Sequence, residues 1–293
     1  LAEIIQVLSN IFTLVFVVGS MLALGLSLTM RQITDPLRNE SLVVRVLLAN
    51  FVLVPLVAYL INLVIPMDEP LSIGLILLAT AAGAPFLPKL VQMAKGNVAA
   101  GVGLMVLLMV TTVIYVPIVL PLLLPGVSVN PLDIASSLVV LMLIPLGIGL
   151  FIKARYPETA ANLQPTFGQA ANFGLMGLVV TMLLLNWRTV LGTIGSGAIL
   201  AALIFVVLSF VIGYLLAPDA ATRSTLSLGT AQRNIAAAMV VAGDNFSDPN
   251  VLIMVLVGAI FMMVLLLPTA GEMGKRMQVA APGPTPASAS APE

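Results

Sequence analysis

The chain has 293 residues, of which 60% are hydrophobic and 8% charged, with zero formal net charge and neither cysteine nor histidine; its mean hydropathy is +1.16. A water-soluble domain of this length does not carry such a composition, so the solvent is lipid and the bilayer is the first partner. Disulfides, thiolate nucleophiles, most zinc chemistry and imidazole relays are excluded, and the lack of a basic cluster leaves no support for nucleic acid.

A run such as 98–124 is apolar almost throughout, without the alternation of a β-barrel strand, so the chain reads as an all-α polytopic membrane protein. Apolar stretches bounded by charges, Pro or Gly divide it into about nine transmembrane helices: 4–30, 41–65, 70–95, 97–125, 131–154, 165–187, 190–217, 221–243 and 249–272. They form a single transmembrane domain over 1–276. The sequence opens at Leu1, and its first apolar run lacks the basic leader and small-residue cleavage site of a signal peptide, so it is read as a true span.

Arg31, Arg38, Lys95, Lys153, Arg155, Arg223, Lys275 and Arg276 gather on one side if the N-terminus lies outside and the C-terminus in the cytoplasm, whereas Asp68, Glu69, Asp244 and Asp248 gather on the other, with Arg188 the one basic residue placed among them. Residues 277–293, rich in Ala, Pro and Ser, read as a disordered cytoplasmic tail.

Two segments are irregular. The third span carries Gly83, Pro85 and Pro88, and each proline removes a backbone donor, so a break is expected there. The eighth holds Gly229 among Thr222, Ser224, Thr225, Ser227 and Thr230. Each is third in a group of four spans. A first repeat at about 4–125, a linking helix at about 131–154 and a second repeat at about 165–272 would therefore be inverted repeats with two broken crossing helices.

Two cations remain within the spans. Arg233 lies ten residues from Arg223 and eleven from Asp244, which is about 15 Å from either boundary at the helical rise. Such a charge faces the bundle interior. It either ties up carbonyls freed by a helix break or attracts an anionic substrate. Lys89 is closer to the edge and either snorkels or meets a ligand. Asn50, Gln232, Asn234 and Thr230 could add directional hydrogen bonds or act as interhelical glue; Asn10, Gln169, Asn172, Thr111 and Thr112 are weaker candidates. No nucleophile, base or metal cluster can be assembled from the intramembrane polar residues, which points away from an enzyme and from any cofactor or metal.

The segments Gly19–Thr29, Ala49–Pro55, Gly83–Ala99 and Gly229–Asn234 together resemble the bile acid:sodium symporter family. The resemblance covers nearly the whole chain. It implies two inverted repeats, two broken helices crossing at the midplane, a bacterial inner membrane, and a secondary transporter of a small organic anion. Bacterial members with ten helices carry one more at the N-terminus, so by this resemblance the chain looks like a nine-helix form or one whose first helix was lost.

Position by position, the family's sodium ligands are mostly replaced. Leu87 and Pro88 stand at its Ser-Asn pair, Gly101 and Met105 at hydroxyl ligands, Gly229 at its shared glutamate and Arg233 at the nearby glutamine. Only the amide at Asn50 keeps its type. Sodium wants several oxygens, so this pattern argues against binding it, and Arg233, with or without Lys89, becomes a candidate fixed cation in its place. The competing readings are a sodium-coupled organic anion symporter and a non-transporting scaffold or sensor domain. Oligomeric state is not legible.

Overall fold

The computed structural model describes residues 2–124, 130–192 and 194–280. Among them every regular element is helical. The chain runs through α1 (Ala2–Ser27), α2 (Met30–Thr34), α3 (Glu40–Val64), α4 (Glu69–Thr80), α5 (Leu87–Met93), α6 (Val98–Leu123) and α7 (Pro131–Arg155). It continues with α8 (Pro157–Gly192), α9 (Ala198–Leu216), α10 (Ala220–Ala231), α11 (Ile235–Asn245) and α12 (Pro249–Ala280). α12 thus extends four residues into the expected tail, and 281–293 lie outside the described residues, as does the connection at 125–129.

Among the described residues six helical stretches are long and apolar enough to cross a bilayer: Val7–Ser27, Glu40–Val64, Val98–Leu123, Pro131–Arg155, Ala198–Leu216 and Pro249–Met277. Their faces are sorted as lipid requires. On α6, Ile114, Ile118 and Leu122 are exposed at helical spacing, while Val113, Val116 and Leu120 are buried. The buried set also holds polar residues, among them Asn50, Thr80, Thr112, Thr230, Gln232, Arg233 and Asn234. With apolar residues outside and these polar ones inside, the polar chemistry is confined to the bundle interior.

α1 lies between α7 and α8. Its contact with α7 is backbone on backbone: a side chain at Gly25 would strike Leu146 O, and one at Gly149 would strike Leu22 O. Small residues of this kind let helices approach where no hydrophobic effect drives them together.

Between α4 and α5 the helix is interrupted at 81–86, and between α10 and α11 at 232–234. The first break follows from its residues. Gly83 adopts φ +81°, a left-handed backbone that glycine reaches without cost. Pro85 follows in the turn, and Pro88 sits in the first turn of α5, where its missing N–H would have no partner anyway. The freed backbone at Ala82 is repaired from α6: Ala82 N donates to Thr112 Oγ1 at 2.9 Å, and that hydroxyl donates to Ala82 O at 3.1 Å.

The second break differs from the sequence expectation in position. Gly229 is inside α10, before the interruption, and packs against Leu87, whose Cδ2 would stand 3.1 Å from a side chain added there. Its smallness admits α5 rather than ending α10. The helix stops instead at Gln232, whose N–H still reaches Leu228 O at 2.9 Å, and restarts with Asn234 Oδ1 accepting from Ala237 N at 3.1 Å as an N-cap.

The two breaks are joined. Asn234 N donates to Ala81 O at 2.9 Å, and Asn234 Nδ2 to Gly83 O at 3.1 Å.

Gly83→Ala should abolish or sharply reduce folded yield, since the new methyl would meet Met109 N and lie 2.6 Å from Met105 O in a backbone region that disfavours it. Gly243→Ala, where nothing lies within 4 Å, should leave yield and melting temperature unchanged in fluorescence-detected size exclusion. Equal behaviour of the two variants would contradict this account of the first break.

Candidate functional site

α4 and α10 each end at a break, and the last carbonyls of a helix have no intrahelical partner. Those ends also carry a partial negative charge of about half an electron. The Arg233 guanidinium lies between them. Its Nε donates to Leu78 O at 3.0 Å and its Nη2 to Ala79 O at 2.6 Å, both on α4, while Nη1 donates to Thr230 O on α10 at 3.2 Å.

The third side is α3. Nη1 also donates to Asn50 Oδ1, and Nη2 reaches Asn50 O at 3.4 Å. Residues Ala49–Leu53 form a π-helical turn in which Val54 N bonds to Ala49 O. The next donor in that pattern would serve Asn50 O, but it belongs to Pro55, which has no N–H. Asn50 O is therefore open to Arg233. Its neighbour Phe51 O is taken by the Tyr115 hydroxyl at 2.6 Å, and Asn50 is oriented by its own Nδ2, which donates to Val46 O at 3.0 Å.

Arg233 has no exposed surface, and its backbone N–H donates to Met262 Sδ at 3.1 Å. Placing an arginine at mid-membrane costs about 3 kcal/mol on insertion scales, while a hydrogen bond to a charged group contributes about 1.5–3 kcal/mol. Two of its bonds suffice to hold it. Among the described residues the ion pairs are Arg38 with Asp35 and Arg276 with Glu272, both well exposed. The guanidinium is thus met by neutral oxygens at negative helix ends, the environment that a bound cation would require.

Asn50, Thr230, Arg233 and Asn234 meet at this crossing, with Gly83 and Pro85 in the facing break. Lys89 stands apart, on the exposed side of α5. Leu87 is buried against Gly229, Met105 is fully buried, and Gly101 abuts Val91. Sequence reasoning missed Pro55, Tyr115 and Met262. The proline inside an otherwise apolar span was the available signal; the other two look like ordinary bundle residues.

Beside the crossing lies a cavity of about 660 Å³, bounded by α1, α8, α12 and both breaks. Its lining is mostly apolar, with Phe16, Leu175 and Ile260 typical, and it includes Gln164, Asn172 and Gln232. The cavity reaches Arg233, but the guanidinium points into the carbonyl cluster and offers no accessible surface to an occupant in this structure.

The sequence profile of the Sodium Bile acid symporter family matches residues 13–193, more than half of the chain. The chain belongs to this family. It is an integral membrane protein, as its apolar helices require. Among its relatives, the probable sodium/metabolite cotransporter BASS2, chloroplastic, of Oryza sativa subsp. japonica is 25% identical over 245 residues, covering 79% of this chain and 56% of the relative. The probable sodium/metabolite cotransporter BASS1, chloroplastic, of Arabidopsis thaliana is 24% identical over 248 residues, covering 81% and 60%. This family member therefore spans somewhat over half the length of those relatives.

The Arg233–Asn50 contact should show coupling of about 1.5–3 kcal/mol in a double-mutant cycle with Arg233→Met and Asn50→Ala, as a charge-assisted bond predicts. Reversible unfolding in mixed micelles would measure it. Additive effects of the two substitutions would mean that the bond contributes nothing.

Proposed function

We propose that the protein is a secondary carrier of a small organic anion, working by alternating access, with Arg233 serving as a fixed cation in place of bound sodium. The observation that carries this is the set of five hydrogen bonds from the guanidinium to oxygens of α3, α4 and α10. In a sodium-coupled carrier, bound ions offset the charge of an anionic substrate. Here the offset is covalently attached to α10–α11 and does not dissociate. Leu87, Pro88, Gly101, Met105 and Gly229 bring no side-chain oxygen to the positions where the family's ligands fall, and a hard cation needs several. Transport is then facilitated diffusion, exchange, or coupling to a gradient other than sodium.

The cavity beside the crossing supports a carrier over a scaffold, since a scaffold has no need of a space of about 660 Å³ against its broken helices. Its apolar lining suits an anion with an apolar body. The Lys and Arg distribution orients the N-terminus outside and the C-terminus in the cytoplasm.

The alternative, sodium-coupled organic anion symport, is favoured by the names of the two plant relatives. The two readings differ in sign. With the compensating charge fixed, each turnover of a uniporter moves the substrate's negative charge, so an inside-positive potential of 100 mV drives uptake by about 2.3 kcal/mol per charge. A symporter that carries excess sodium responds to the opposite polarity.

Uptake of a panel of radiolabelled organic anions into proteoliposomes, with potassium diffusion potentials of either sign and with or without sodium, separates them. The expected result is sodium-independent uptake accelerated by inside-positive potential, falling at least about tenfold in Arg233→Gln. Arg233→Lys, which keeps the charge, should retain part of it. Sodium-dependent uptake would establish the symporter reading, and full activity in Arg233→Gln would remove Arg233 from the mechanism.

A further inference from the structure

Gln232 stands between the crossing and the cavity, and its carboxamide oxygen has no partner in the fold. Its backbone N–H closes α10, but its side-chain Oε1 is buried without a hydrogen-bond partner, and the residue is only 2% exposed. A buried acceptor left unpaired costs about 1–3 kcal/mol, and native interiors contain few of them. The residues on either side are fully engaged: Arg233 with the helix-end carbonyls, Asn234 with Gly83 O and Ala237 N.

Gln232 also lines the cavity, where few other polar groups are available. Ser20 and Ser27, on the α1 wall, donate their hydroxyls to Val17 O and Leu24 O within their own helix. The α8 wall brings Gln164 and Asn172, and the remaining lining is almost entirely apolar. On the side formed by the two breaks, Gln232 supplies the unpaired acceptor.

We propose that Gln232 is a specificity-determining residue, whose carboxamide oxygen accepts a hydrogen bond from a hydroxyl or amide N–H carried by the bound organic anion. This rests on reading the cavity as the transport site. The terminal torsion of glutamine is broad and has a low barrier, so a turn of the carboxamide presents Oε1 to an occupant. The substrate is thereby narrowed to an amphipathic anion with a largely apolar body and a hydrogen-bond donor placed to reach the crossing. A site with an acceptor to satisfy rejects an analogue without the donor, because binding that analogue leaves the acceptor unpaired.

The test uses the purified full chain and matched pairs of alicyclic carboxylates that differ by one hydroxyl. Binding is followed by thermal shift and by isothermal titration, and liposome uptake is measured in parallel. The wild type is expected to prefer one hydroxylated member over its deoxy partner by about tenfold. Gln232→Leu should bring that ratio to within about twofold by weakening only the hydroxylated ligand. Gln232→Met, closer in length, repeats the comparison should the leucine variant not fold.

Absence of preference in the wild type across all pairs, or a preference retained in the variants, would overturn the assignment. A preference that moves with Gln232 in a protein that takes up none of the ligands would uphold Gln232 and refute transport. Uptake with an unmoved preference would do the reverse.

Discussion

The buried guanidinium of Arg233 is the interaction on which the rest of this structure depends. Breaking two helices in a membrane leaves carbonyl oxygens where no water can meet them, and each unsatisfied group costs several kcal/mol in hydrocarbon. α4 and α10 both end in this way, with their negative ends converging. A cation between them is an electrostatic necessity, and its planar fork of donors allows one side chain to serve three helices. The surrounding hydrogen bonds, from Thr112 to the first break and from Asn234 across to it, complete the repair.

On the proposed reading, that arrangement separates two tasks. The positive charge is spent inside the protein, on α3, α4 and α10, and not in direct contact with cargo. The cavity beside it is free to be apolar and to select by shape and a few hydrogen bonds. A buried charge still acts across such a site, since low-dielectric walls transmit its field much less attenuated than water would. Attraction for an anion and recognition of its structure thus fall to different residues.

Much of the fold was legible because lipid imposes a strong pattern. Apolar runs of about twenty residues, Pro85 and Pro88 in mid-span, and an isolated Arg233 pointed to a helical bundle with an interruption and an interior charge. The finer features were less accessible. Gly229 drew attention as a breaker, yet it admits Leu87, because glycine marks close approach as often as a turn. Lys89, nearer the membrane edge, and Arg233, at its middle, were both candidates for contact with a ligand. Their fates diverge because one faces outward from a short helix and the other is enclosed by backbone, a difference of helical phase that hydropathy does not encode. The direction of the guanidinium, toward carbonyls and away from the cavity, depends on tertiary placement of Asn50 and α4. The role of Pro55 depends on a π-helical turn without a sequence signature of its own.

That turn ties two distant parts of the chain together. Pro55 withholds an amide from Asn50 O, and Arg233 supplies the missing donor from a distant part of the chain. An amide at position 55 would offer Asn50 O a second donor, and loss of the arginine would leave that oxygen without one, so a local turn in one helix depends on a side chain from the far end of the sequence.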